Sequence, residues 1–220
     1  MTAAGIVFSN LHDAAVPELT KTRTIASVPF GGKYRLIDFA LSNMVNSGIT
    51  KIGIITHYNY RSLLDHIGNG KDWDLARRSG GIKILPPFIT AYDSSSASKI
   101  YTTRLEALKG VMSFIERCNE DYIVSSDCDI IGNMDISEVL SYHEEMNADV
   151  TIITKRVNSF QSPLSSHNEI LTYGKNGDLE DIMECVNSAD GDFDVSTNVI
   201  VFKRTFLLNV LLDACARGYT

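Results

Sequence analysis

The stretch SVPFGGKYRLIDFALSNMVNSGITKIGIITHY, from Ser27 to Tyr58, narrows the possible folds more than any other part of the chain. A turn built on Pro29, Gly31 and Gly32 leads into a run whose apolar residues Leu36, Ile37, Phe39, Ala40, Leu41, Met44 and Val45 recur at helical spacing. Gly48 stops that helix, and the β-rich run KIGIIT follows at once. Turn, helix, capping glycine and buried strand in this order form one βα unit of a layered α/β domain.

The flanking sequence extends the pattern. AAGIVF reads as a central parallel strand, and the loop after it, Ser9 to Ala26, has no glycine, although this junction is where a phosphate-cradling glycine turn sits in nucleotide-binding α/β domains. YRSLLDHIGNGKDWDL reads as a short helix closing on a Gly-Asn-Gly turn, with Trp73 packing behind it, and GIKILPP as a strand stopped by Pro86 and Pro87. The serine-rich segment from Ala91 to Lys99 reads as a mobile loop. Thr103 is placed to cap one helix over RLEALKGVMSFIERC, DYIVSSDCDI is another buried strand, and Asp135 to Asn147 is an amphipathic helix. After the strand ADVTIITKRV the alternation gives way to EILTYG and LEDIMEC around KNGD, an Asn-Gly hairpin signal that marks a β-rich appendage. VSTNVIVFKR returns as a strand, and TFLLNVLLDACARGYT is a helix at which the chain stops.

Composition excludes several functions. With 220 residues, 44% of them hydrophobic and 21% charged, the chain can bury one large core. A net charge of −7 without a Lys/Arg-rich block argues against nucleic acid as a partner. No apolar run approaches the roughly 20 residues that span a bilayer, and Met1 to Gly5 does not begin a secretory signal, so a cytoplasmic location without membrane attachment is expected. Cys118, Cys128, Cys185 and Cys215 lack CxxC spacing and read as reduced thiols.

Few residues offer chemistry on spacing alone. Asp127 and Asp129 end a parallel strand and stand two apart, so both carboxylates can face one Mg²⁺; a loop-capping Asp pair explains them equally well. His12, His57, His66, His143 and His167 show no metal-ligand spacing, which argues against a histidine metal cage. Ser125 and Ser126 lack a nucleophile-elbow context. Lys33 and Arg35, beside the glycine turn, can receive a phosphate or carboxylate or can simply face solvent or a neighbouring loop. The run HEEMNAD, His143 to Asp149, reads as a solvated helix face.

PFGGKYRLIDFALSN, SGI, IGNG, WDL and MDISEVLSYHEEMNADVTI together resemble glucose-1-phosphate adenylyltransferase, or ADP-glucose pyrophosphorylase, of bacterial glycogen synthesis, over Ala3 to Phe202. The resemblance implies a Rossmann-like nucleotidyltransferase fold across residues 1–220, with a mixed, mostly parallel sheet and a small β-rich appendage. The family's C-terminal left-handed β-helix domain is expected to be absent from this chain, in line with its abrupt end.

The family's catalytic residues do not carry over. Where its active members have a GGxGxRL loop, this chain has NLHDAAV, with Asn10 and Leu11 in place of glycines and Ala15 in place of the arginine. Ile25 stands where a lysine precedes PFGG, and Thr103 and Arg104 where a glycine and a threonine contact nucleotide and sugar. The metal motif GDH reads CDI, so Asp129 keeps the carboxylate as a vestigial metal position while Cys128 and Ile130 replace its neighbours. The sugar-phosphate motif EKP reads ECV, leaving Glu184 as a vestigial substrate contact and Cys185 in the lysine position, and Asn198 replaces a late glycine. No catalytic residue set is expected to be intact.

Scaffold retained and phosphate loop lost is the pattern of the D-type (GlgD-like) regulatory subunit, which works in a hetero-oligomer with a catalytic paralogous subunit. Lys33 and Arg35 are then effector or interface contacts, with a sugar phosphate or nucleotide as the effector, and Mg²⁺ is expected only if activity survives. Two rivals remain: an active Mg²⁺-dependent enzyme of the same reaction using Asp129, and a sugar-phosphate effector-sensing module without chemistry.

Overall fold

The computed structural model describes residues 1–76, 80–87, 101–161, 168–175, 179–185 and 188–219, so the expected loop from Ala91 to Lys99 and the tip of the KNGD turn lie outside the described residues. β1 (Ala3–Phe8) opens the chain, followed by a short α1 (Pro17–Thr20) and the two-residue strands β2 (Pro29–Phe30) and β3 (Tyr34–Arg35). α2 (Leu36–Asn46), β4 (Lys51–Ile55), α3 (Arg61–Ile67) and β5 (Gly81–Leu85) come next, then α4 (Arg104–Gly110), α5 (Met112–Glu116) and β6 (Tyr122–Asp127). The remainder is α6 (Ile136–Glu145), β7 (Val150–Gln161), β8 (Asn168–Tyr173), β9 (Leu179–Cys185), β10 (Ser188–Lys203) and α7 (Arg204–Arg217).

The fold is α/β with a mixed sheet ordered β5-β4-β1-β6-β10-β8-β9, in which β5, β4, β1 and β6 are parallel and β7 pairs with β10. Alternation along β1 sends Ala4, Ile6 and Phe8 into a core shared with α4, α5 and α7, while Val7 faces a second core beneath α2, α3 and α6. Each Leu or Ile fully buried on α2 or β4, such as Leu41 or Ile54, contributes about 1.5–3 kcal/mol of transfer free energy. Gly5 lets α2 approach the sheet, since a Cβ there would lie 2.5 Å from Met44 Sδ.

The glycine turn is more ordered than a simple turn: Pro29–Phe30 and Tyr34–Arg35 pair as an antiparallel hairpin across Gly31 and Gly32. α2 then starts with its first turn tied down, because the Arg35 N–H donates to Asp38 Oδ2 at 2.9 Å. The single helix expected over RLEALKGVMSFIERC is in fact two, α4 and α5, broken at Val111, where Gly110 and a β-branched residue together weaken helix propagation. Thr103 does cap α4, its Oγ accepting from the Glu106 N–H at 3.2 Å.

β10 is far longer than VSTNVIVFKR. Its Ile200–Lys203 end pairs with β6, Asp194 and Val195 pair with β8, and β7 runs along its other edge. The strand shifts register between Ser196 and Ile200, and Asn198 sits there at φ 57°, in the left-handed region that asparagine tolerates better than most residues. An asparagine at position 198 therefore suits the left-handed backbone of this bulge.

Candidate functional site

Three parallel strands end together. β1 runs into Ser9 and Asn10, β4 into Thr56 and His57, and β6 ends on Asp127, which stands in register with Phe8. This C-terminal edge is where open α/β sheets bind ligands.

The loop after β1 is closed by its own side chains. Asn10 is buried, its Oδ1 accepting from Thr56 Oγ1 at 2.9 Å and from the His57 N–H at 3.2 Å, while its Nδ2 donates to Asp13 Oδ2 at 2.7 Å. Ser9 Oγ lies 2.7 Å from Asn10 Oδ1 and 2.8 Å from the Ile55 carbonyl. Asp13 Oδ1 in turn accepts from the Ile25 N–H at 2.7 Å, and the Ala26 N–H donates to the Ser9 carbonyl, so both ends of the loop are held together. The loop is not irregular throughout: it contains α1 and two short helical turns, at Asp13–Ala15 and Ile25–Ser27. Above it the Tyr101 ring packs edge-on against His57 at 4.9 Å, its buried phenol pushed well above the ordinary value by burial and by the Asp13 charge.

The Asp127–Asp129 pair lies beside this loop and already has partners. His12 Nδ1 is 2.8 Å from Asp129 Oδ2, and its Nε2 is 3.7 Å from Asp127 Oδ2. Arg104, the first residue of α4, donates through Nη2 to Asp127 Oδ2 at 2.6 Å and reaches Glu169 on β8 through Nη1 at 3.6 Å. The Asp129 hydrogen bond raises the His12 pKa. Burial opposes ionisation of Asp129, but the His12 contact outweighs it and holds this carboxyl below the ordinary value. Burial pushes the Asp127 carboxyl up against the pull of Arg104 and His12. Among the described residues His12, Asp127 and Asp129 are the one group of metal-ligand side chains within reach of a single ion. The sequence spacing of the histidines missed His12, because its contact with Asp129 spans 117 positions and arises only from the pairing of β1 with β6.

The other site residues fall elsewhere. Arg35 is engaged as a scaffold clamp, Nη1 donating to the Ser62 carbonyl at 2.6 Å and to Ser62 Oγ at 2.8 Å. Lys33 Nζ stands 5.9 Å from the Tyr34 ring centroid and helps line a 490 Å³ cavity with Asp38, His66 and Trp73. Trp73 packs edge-on against His66, whose Nε2 is 2.6 Å from Asp38 Oδ1. Glu184 lies on β9 opposite Glu169 in the β8–β9 ladder, and its side chain and that of Cys185 lie outside the described residues. Ser125 and Ser126 are buried in β6, and Cys128 is a buried free thiol. HEEMNAD is not wholly a solvated face: His143 is buried, with Nδ1 2.7 Å from Thr151 Oγ1.

A family profile described as Nucleotidyl transferase matches residues 16–162. The chain belongs to the nucleotidyl transferase family. It is 46% identical over 134 residues to a glucose-1-phosphate adenylyltransferase of Bacillus thuringiensis (strain Al Hakam), across 61% of this chain and 35% of that protein. A glucose-1-phosphate adenylyltransferase of Clostridium kluyveri is 43% identical over 134 residues, across 61% of this chain and 34% of that protein. The chain spans about a third of the length of these curated relatives. No helix among the described residues is long and apolar enough to cross a membrane.

Mg²⁺, expected only if activity survives, does not fit the group of His12, Asp127 and Asp129 as these side chains stand. Mg²⁺ takes oxygen ligands and keeps several waters, whereas here an imidazole stands between the carboxylates and a guanidinium holds one of them. Asp127 Oδ1 and Asp129 Oδ1 remain without a hydrogen-bond partner, but any ion reaching them would sit beside the fixed charge of Arg104.

Proposed function

We propose that this chain is the nucleotidyltransferase-like part of a catalytically impaired, regulatory subunit that supports ADP-glucose synthesis from ATP and glucose 1-phosphate. The observation that carries the reading is Asn10. A triphosphate-binding turn exposes bare backbone N–H groups to the ligand, and in this chain a buried side-chain amide fills that turn, held by the Thr56 hydroxyl and the His57 N–H beyond the end of β4. Ala15 and Ile25 supply no cation in place of the arginine and lysine that the resemblance implies. Loss of one charge-stabilising donor costs about 10²- to 10³-fold in rate, and here several are lost together. The retained scaffold supports assembly with an intact paralogue of the same fold, the partner this reading requires. The kinship to glucose-1-phosphate adenylyltransferases supports the reaction named.

The test is ADP-glucose formation by the full-length protein, alone and mixed with a glycine-loop paralogue. The expected result is a rate at least about 10²-fold below the paralogue when alone, and a changed turnover or effector response in the mixture. A rate for the protein alone that matches the paralogue overturns the reading. The cavity at Lys33 favours a second reading, in which the chain also senses a sugar phosphate. Calorimetry with glucose 1-phosphate on wild type and Lys33→Ala should then show saturable binding that the variant loses, and no heat in wild type removes it.

A further inference from the structure

Two acidic side chains, Asp127 at the end of β6 and Asp129 just after it, are met by polar side chains from two separate elements. His12 arrives from the loop after β1 and takes Asp129 Oδ2; Arg104 arrives from the start of α4 and takes Asp127 Oδ2. Neither position is accidental in its geometry. The Thr103 cap fixes where α4 begins and hence where Arg104 emerges, and Asn10 with Asp13 fixes the loop on either side of His12. Arg104 also reaches Glu169 on β8, so one guanidinium joins the last parallel strand to the antiparallel half of the sheet.

We propose that Arg104, as a resident counter-ion, and His12, as a hydrogen-bond partner, occupy the Asp127–Asp129 pair in place of a divalent cation, so that the pair takes up neither Mg²⁺ nor Mn²⁺ while both are in place. An arginine cannot give up its proton in a protein, so its charge stays beside Asp127 under all ordinary conditions. A dication entering the same gap would have to displace the imidazole from Asp129 and bear the repulsion of the guanidinium. Taking away these two side chains uncovers what they occupy: two carboxylates whose Oδ1 atoms have no hydrogen-bond partner. The site is a metal site held closed by side chains. The inference concerns ion occupancy alone and goes beyond the proposed regulatory role.

Mn²⁺ binding, read by loss of the free-ion electron paramagnetic resonance signal, tests it on wild type, Arg104→Gln, the double variant His12→Gln/Arg104→Gln, and that double variant carrying Asp129→Asn. Wild type should bind no Mn²⁺ saturably at millimolar ion. Arg104→Gln should gain weak binding, the double variant should bind one ion per chain at least about tenfold more tightly than Arg104→Gln, and Asp129→Asn should abolish the gain. One ion bound per wild-type chain at micromolar Mn²⁺ overturns the inference, as does a double variant with a native circular dichroism spectrum that gains nothing. If the double variant does not fold, wild type and Arg104→Gln still decide. A wild-type chain that binds Mn²⁺ yet makes no ADP-glucose would overturn this inference and leave the proposed role standing.

Discussion

Two neighbouring turns in this molecule solve the same geometric problem in opposite ways. At Gly31 and Gly32 the backbone takes φ of 60° and 78° and open space surrounds each missing Cβ, so the conformation itself calls for glycine and the main chain is left bare. At Ser9 to Asp13 the chain reverses direction through side chains, with the Asn10 amide bound on both its atoms and Asp13 pinned to Ile25. The first kind of turn leaves its main chain bare, whereas in the second the Asn10 and Asp13 side chains fill the turn and are bonded to Thr56, His57 and Ile25. In this nucleotidyl transferase scaffold the loop after β1 is thus held by side-chain hydrogen bonds and not by glycine backbone.

The comparison predicts a ranking of stability effects. Leu41→Ala, on the buried face of α2, should cost about 2–5 kcal/mol because a fully buried leucine leaves a cavity. Asn10→Ala should cost less, about 1–3 kcal/mol, through the unpaired Thr56 hydroxyl and His57 N–H it leaves behind. Urea denaturation of the two variants checks this, and an Asn10→Ala protein as stable as wild type would break the view of the loop as a packed plug. A smaller effect comes from His143, whose pKa is lowered by burial and by Lys203. The folded chain then binds a proton less readily than the unfolded chain, so stability falls as pH drops below the ordinary imidazole value of 6.5 towards the folded value. The loss in melting temperature between about pH 7.5 and about pH 5.5 should be smaller in His143→Gln than in wild type.

Much of this was legible in the residues. AAGIVF, KIGIIT and DYIVSSD are apolar runs buried on both faces, and they are the parallel strands β1, β4 and β6. The Asn-Gly hairpin signal lies between β8 and β9, which pair antiparallel. Local pattern gave no warning of the length of β10, because its first half carries Asp190, Gly191, Asp192 and Asp194 and is held by pairing to β7. The burial of His143 had a signal that the charged neighbours hid: Ile136, Leu140 and His143 stand four and then three positions apart, one stripe of α6. Asp127 and Asp129 were visible as a pair, but their partners were not. His12 and Arg104 reach them through space, from a loop and a helix start that only the closed sheet brings to the same edge.

The claim on which the account turns is that the plugged turn after β1 no longer receives a nucleoside triphosphate. Calorimetric titration of ATP with Mg²⁺ into the purified chain tests it without any need for a partner or for turnover. No saturable heat is expected at millimolar ATP; a single site with micromolar affinity, weakened by substitution of residues in the Ser9 to Asp13 turn, would mean that the turn still takes the nucleotide.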